Sequence, residues 1–161
     1  PARARRTGAC GKHRGIVPAV LGLDSRELLS GRNYAHVATV MDDGSPHSVP
    51  VWIDIDDRDR LVFYKEDSSV GLRNLKRDPR VAISLTDVED PYRAVRVRGR
   101  VVEMRGEPEA REWLEQRALD YIGHAYPEPV PDAGTLLFVE PDSVVYQHAE
   151  DFHHAPPSDR K

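Results

Sequence analysis

Residues 65–80 hold the densest set of groups in the chain that could grip an anion: Lys65, Ser68, Ser69, Arg73, Lys76, Arg77 and Arg80. They fall where a strand pattern ends, a polar turn follows and a helical pattern begins. The first N–H groups of a helix have no intrahelical acceptor, and the helix dipole is positive there, so a phosphate is well served. Ser68 and Ser69 add hydroxyls at that point, and Lys65 and Arg73 add charge. Gly71 is a poor helix residue. It either lets a ligand approach the backbone closely or marks a late helix start. On chemistry alone two readings stand: a phosphate site, and an ordinary capped surface helix with solvated charges.

Other residues are weighed the same way. Trp52 falls on the polar side of an alternating stretch whose other side carries Val51 and Ile53. That suits an aromatic at an interface or against a planar ligand better than a core position. Tyr64 beside Lys65 either meets a ring or packs under the helix. Arg96, Arg98 and Arg100 recur at period two, as on a solvated or dimer-facing strand, with an acidic ligand tail as the alternative. His36 and His47 fall in strands, and His47 is a candidate proton donor, imidazole being the side chain suited to moving protons at physiological pH. His148, Asp151, His153 and His154 fit no tight metal-ligand spacing. Cys10 has no companion that would make it a nucleophile. No G-x-G-x-x-G or G-x-x-x-x-G-K run occurs, which disfavours a Rossmann or P-loop site. The expectation is no metal site.

These groups need a frame, and the dominant period of the chain is two. Strands are expected over 34–41, 47–55 and 61–65, with Asp42-Asp43-Gly44-Ser45 as the first turn and a charged turn at 56–59 as the second. The three strands read as an antiparallel meander. A short helix is expected over 70–77, capped by Asp67, Ser68 or Ser69 and stopped by Pro79. Further strands follow over 80–86 and 93–104, with Gly99 as a bend or bulge. The stripe Ala110, Trp113, Leu114, Ala118, Tyr121 and Ile122 predicts a helix over 107–122, with Pro108 at its start and Gly123 at its end. A strand pair interrupted at Pro141 covers 136–146, and a weak helix falls near 25–29. Antiparallel strands with two or three helices favour a closed or partly closed barrel, mostly β (α+β). So small a barrel is filled by side chains, which puts a ligand in a groove or between subunits.

Composition bounds the rest. The chain of 161 residues suits one domain, here 20–149, with a basic N-terminal tail over 1–19 and a polar C-terminal tail over 150–161. A net charge of −4 argues against a dedicated nucleic-acid binder. No apolar run approaches the ~20 residues of a membrane helix, and no signal-peptide stretch is seen. One cysteine points to the cytoplasm.

The run Arg73-Asn74-Leu75-Lys76-Arg77-Asp78-Pro79-Arg80-Val81 resembles the N-L-x-x-D-P-R-V signature of pyridoxamine 5′-phosphate oxidase-like split-barrel proteins. More narrowly it resembles their actinobacterial branch, which uses the deazaflavin coenzyme F-420. Collinear matches are Ala38-Thr39-Val40, Asp43-Gly44-Ser45-Pro46-His47, Pro50-Val51-Trp52, Asp90-Pro91-Tyr92-Arg93, Val97-Arg98-Gly99-Arg100-Val101, Tyr121-Ile122-Gly123 and Tyr126-Pro127.

The resemblance implies a six- to seven-stranded split β-barrel of the FMN-binding type, paired as a homodimer with the cofactor at the subunit interface. It implies cofactor contacts from Pro50, Val51, Trp52, Tyr64, Lys65, Ser68, Ser69, Arg73 and Asn74. It also implies hydride transfer between reduced F-420 and a small unsaturated or carbonyl substrate, with the cofactor carrying the chemistry. The alternatives are an FMN enzyme of the same fold and a non-catalytic binder of flavin, F-420 or haem. The chain departs from the family pattern at Ser69-Val70-Gly71, where a lysine or arginine is common. Lys65 and Arg73 are then the cations left to pair with a phosphate.

Overall fold

The computed structural model describes residues 19–127 and 133–148. The basic run that includes Cys10, and the segment holding Asp151, His153 and His154, lie outside the described residues. In chain order the elements are α1 (Leu23–Ser30), β1 (Ala35–Val40), β2 (Pro46–Val51), β3 (Ile53–Ile55), β4 (Leu61–Glu66), α2 (Val70–Arg77), β5 (Arg80–Thr86), β6 (Ala94–Arg105), α3 (Glu109–Ile122) and β7 (Gly134–Gln147).

Alternation sets which way each strand faces. In β5, Val81, Ile83 and Leu85 are buried, while Arg80, Ala82, Ser84 and Thr86 are exposed. In β6, Val95 and Val97 point inward and Arg96, Arg98 and Arg100 outward. The inward residues meet Val37, Ile53, Leu61, Phe63, Leu137 and Val139 in the main core, which Leu28 and Leu29 of α1 and Leu72 and Leu75 of α2 cover. A second, smaller core of Val62, Ala110, Leu136 and Phe138 lies under α3. Thus β4 is covered on both faces, which explains its unbroken apolar run Leu61-Val62-Phe63.

All seven strands form one antiparallel sheet in the order β2-β1-β5-β6-β7-β4-β3. The sheet curls into a half-barrel whose two edge strands, β2 and β3, are joined through Trp52. The expected meander is therefore corrected. β2 pairs with β1 and β3 pairs with β4, at opposite ends of the sheet order. The alternation over 47–55 is continuous in sequence, but the strand breaks at Trp52, and alternation alone cannot register a change of partner.

The interruption expected at Pro141 is also corrected: β7 runs through it. Pro141 lies opposite Gly99, where the β6–β7 register shifts, so its missing N–H falls at an irregularity. A Cβ at Gly99 would lie 2.4 Å from the Glu140 carbonyl oxygen, so only glycine fits there. The helix expected over 107–122 starts at Glu109 and ends at Ile122, capped by Gly123, whose φ of 77° is the left-handed cap conformation.

Candidate functional site

A cavity of about 380 Å³ opens at the split of the half-barrel. β3 pairs only with residues 61–63 of β4, so Tyr64, Lys65 and Glu66 have strand β7 on one side and, among the described residues, no strand on the other. Across that gap stands the end of β2. Val49, Pro50, Val51 and Trp52 form one wall, and Tyr64, Lys65, Glu66 and Ser69 the other. Tyr34, Trp113, Leu114 and Tyr126 complete the lining. The break at Trp52 thus makes the cavity: a strand that continued straight from β2 into β3 would leave no gap.

Lys65 is the unusual member. It is only 8% exposed, and its amine has no hydrogen bond or ion pair among the described residues. It shares the inward face of β4 with Leu61 and Phe63. Its stem lies against Gly71, where a Cβ would stand 3.3 Å from Lys65 Cε and 3.6 Å from Nζ. Glycine at the second position of α2 therefore leaves room for the lysine. Burial lowers the Lys65 pKa from 10.5 to about 8, with neighbouring Glu66 opposing the shift.

The start of α2 adds to this positive corner. Ser69 Oγ accepts from the Leu72 N–H at 3.3 Å, which leaves its own O–H free to donate. The N–H groups of Val70 and Gly71 have no intrahelical acceptor. An amine, a hydroxyl and a helix N-terminus therefore sit together, with no ion pair to Lys65 among the described residues. Exposed Arg73 stands one turn on, its guanidinium donating to the Ser68 carbonyl at 2.7 Å. Arg77 and Arg80 are held by Asp42 and Asp78 respectively.

The sequence-expected residues divide. Pro50, Val51, Trp52, Tyr64, Lys65 and Ser69 line the cavity together. Ser68, Arg73 and Asn74 do not line it. Asn74 is buried on the inner side of α2, where its amide donates to Thr39 Oγ1 at 3.0 Å and to Met41 Sδ at 3.3 Å. It ties α2 to β1.

Trp52 is fixed by an aromatic cluster. It stacks on Tyr121 with centroids 5.3 Å apart, and Tyr126 meets it edge-on at 5.9 Å. The Tyr121 hydroxyl lies 2.9 Å from the Asn33 carbonyl and 3.2 Å from those of Gly31 and Ile53. Burial raises the Tyr121 pKa, so it stays a neutral donor. Tyr64 faces α3, its ring across Gly134, where a Cβ would stand 1.9 Å from Tyr64 Cε2. Its hydroxyl is buried without a partner among the described residues.

Tyr34, Val49, Glu66, Trp113, Leu114 and Tyr126 were not singled out as lining residues by sequence reasoning. Trp113 and Leu114 read as an ordinary buried helix stripe, and nothing in their spacing shows that the stripe ends at a cavity. His47 is half-buried and does not line it. Among the described residues no three His, Cys, Asp or Glu side chains converge as a metal site, and no helix is long and apolar enough to cross a membrane.

Comparison with known proteins places this geometry. No curated protein matches the sequence. A solved F-420 reductase is 30% identical, with a TM-score of 0.66 over 74% of this chain and 94% of its own. A conserved hypothetical protein from Mycobacterium tuberculosis is 21% identical, with a TM-score of 0.66 over 94% of this chain and 98% of its own. General Stress Protein 26 from Bacillus anthracis, at 18% identity and a TM-score of 0.59, covers 78% of this chain and 93% of its own. The last two show the shared fold. The family model for pyridoxamine 5′-phosphate oxidase matches residues 24–148, and the chain belongs to that family.

Proposed function

We propose that the protein is an oxidoreductase that binds coenzyme F-420 in the split of its barrel and acts on a small unsaturated or carbonyl substrate. The observation that carries this reading is Lys65, a buried cation with no counterion among the described residues, beside Ser69 and the positive end of α2. Left empty, such a corner is electrostatically costly; a phosphate group completes it. The 30% identity to an F-420 reductase favours the deazaflavin.

Each residue then has a task. Lys65, Ser69 and the N–H groups of Val70 and Gly71 hold the phosphate, with Arg73 and Ser68 at the rim. Asn74 keeps α2 docked on β1, so the helix start stays aimed at the cavity. Pro50, Val51 and Trp52 present one flat wall to the ring system, and Tyr64 contributes to the opposite one. Leu114, Trp113 and Tyr126 keep water away from the ring. A reduced deazaflavin supplies the hydride when bound. Two copies pair through the outer sheet face, where His36, Ser48, Ala82 and Ser84 leave a groove flanked by Arg96 and Arg98.

Titration with F-420 and with FMN, followed by quenching of tryptophan fluorescence, tests the reading. F-420 is expected to bind at micromolar concentration. Tighter binding of FMN overturns the deazaflavin, and binding of neither overturns the cofactor site. Light scattering checks the dimer, and a monomeric mass overturns it.

A further inference from the structure

Lys65 has properties that phosphate binding does not require. The chain holds four lysines, at positions 12, 65, 76 and 161. Lys76 is exposed on α2, and Lys12 and Lys161 lie outside the described residues. Lys65 alone of the two described is buried, on the face of β4 that carries the core residues Leu61 and Phe63 and with its stem against Gly71. Glu66 follows it in sequence but makes no ion pair with it. With no anion present, apolar neighbours and the positive end of α2 both disfavour the ammonium form. The same side chain lines a cavity walled by Trp52, Trp113 and Tyr126. A desolvated amine facing an aromatic cavity is the setting in which lysine acts as a nucleophile.

The geometry points to Lys65 as a nucleophilic amine that captures an uncharged aromatic aldehyde in this cavity as an imine whenever the neighbouring anion corner is empty. The Nζ lone pair attacks the carbonyl carbon and forms the C–N bond. The π pair moves to oxygen, which takes one proton released by the nitrogen and gives the carbinolamine. That hydroxyl takes a second proton and leaves as water while the nitrogen gives up its remaining N–H proton, and the C=N bond forms with no change in oxidation state. Trp52 and Trp113 offer flat contacts to the aromatic ring. A phosphate on Ser69 holds the Lys65 amine as an ammonium ion and silences it, so anion and aldehyde exclude one another. The amine chemistry goes beyond the cofactor reading and needs only the cavity.

Burial supports the assignment. With a pKa of about 8, roughly a tenth of Lys65 is neutral at pH 7, hundreds of times the share of an ordinary lysine. The test is reductive trapping of the full-length protein with benzaldehyde and sodium cyanoborohydride, followed by peptide mapping of all four lysines. The expected benzyl adduct forms on Lys65 at least about tenfold faster than on Lys76. Its rate rises with a midpoint near pH 8. Lys65→Met abolishes that adduct and leaves labelling of Lys76 unchanged. Equal or faster labelling of Lys76, or no adduct on Lys65, overturns the proposal, and the wild-type map decides this even if the variant misfolds. Inorganic phosphate is expected to slow Lys65 labelling. Labelling that phosphate does not slow supports the amine and overturns the phosphate grip instead.

Discussion

Trp52 stacks on Tyr121 with planes 25° from parallel, and Tyr121 is anchored by its hydroxyl to backbone on both sides of the split. Tyr121 belongs to α3, its carbonyl partners belong to residues 31, 33 and 53, and it does not itself line the cavity. It sits behind Trp52 and sets where that ring stands.

Tyr121→Phe keeps the stack and loses the hydroxyl. It is expected to lower stability by about 1–3 kcal/mol, because the Asn33 carbonyl, the nearest acceptor, loses its donor. Tyr121→Leu removes the stack and is expected to weaken cofactor binding several-fold. In a Trp52→Ala background the same change should alter the Kd no further. Additive effects in this double-mutant cycle would show that Tyr121 does not act through Trp52.

Arg73 and Asn74 are neighbours with opposite expected behaviour. Arg73 is exposed, so Arg73→Ala should leave the Tm nearly unchanged while phosphate affinity falls. Asn74 is 3% exposed and bonded to Thr39, so Asn74→Ala should cost about 1–3 kcal/mol. Chemical unfolding measured beside phosphate titration separates the two. A large stability loss in the Arg73 variant would contradict the assignment.

Stability should depend on pH in a defined window. The folded-state pKa of Lys65, about 8, lies below its ordinary 10.5. Between those values the unfolded chain holds a proton that the folded chain has released, so stability rises with pH there. Tyr64 and Tyr121 act the other way once pH passes their ordinary 10.0, because burial raises both. Stability is therefore expected to climb from about pH 8 to about pH 10 and then turn over. Lys65→Met should remove the climb, and a climb that persists would assign it to another group. Phosphate affinity should fall over the same rise as the ammonium is lost.

Gly99→Ala is expected to destabilise the protein by about 1–3 kcal/mol, because its Cβ meets the Glu140 carbonyl and Val139 in the β6–β7 pairing. Thermal melts check this, and an unchanged Tm would mean that the register shift absorbs the extra carbon.

Sequence patterning determined the local elements. The alternation in β5 and β6, the Ser69 cap and Pro79 stop of α2, and the Gly123 end of α3 all follow from contacts within a few residues. The residues of the proposed phosphate corner stood out for the same reason: Lys65, Ser69 and Gly71 lie close along the chain.

What lay across the chain was not legible. Asn74 sits in the same motif as Arg73, and only docking of α2 on β1 turns its amide toward Thr39. Trp113 read as an ordinary core residue until the fold set its helix beside the gap. Above all, the split itself is tertiary. Alternation over 47–55 fixes which face each side chain takes, and it is silent about the partner strand. The change of partner at Trp52, held by Tyr121 from a helix far along the chain, is what opens the cavity and leaves Lys65 facing it.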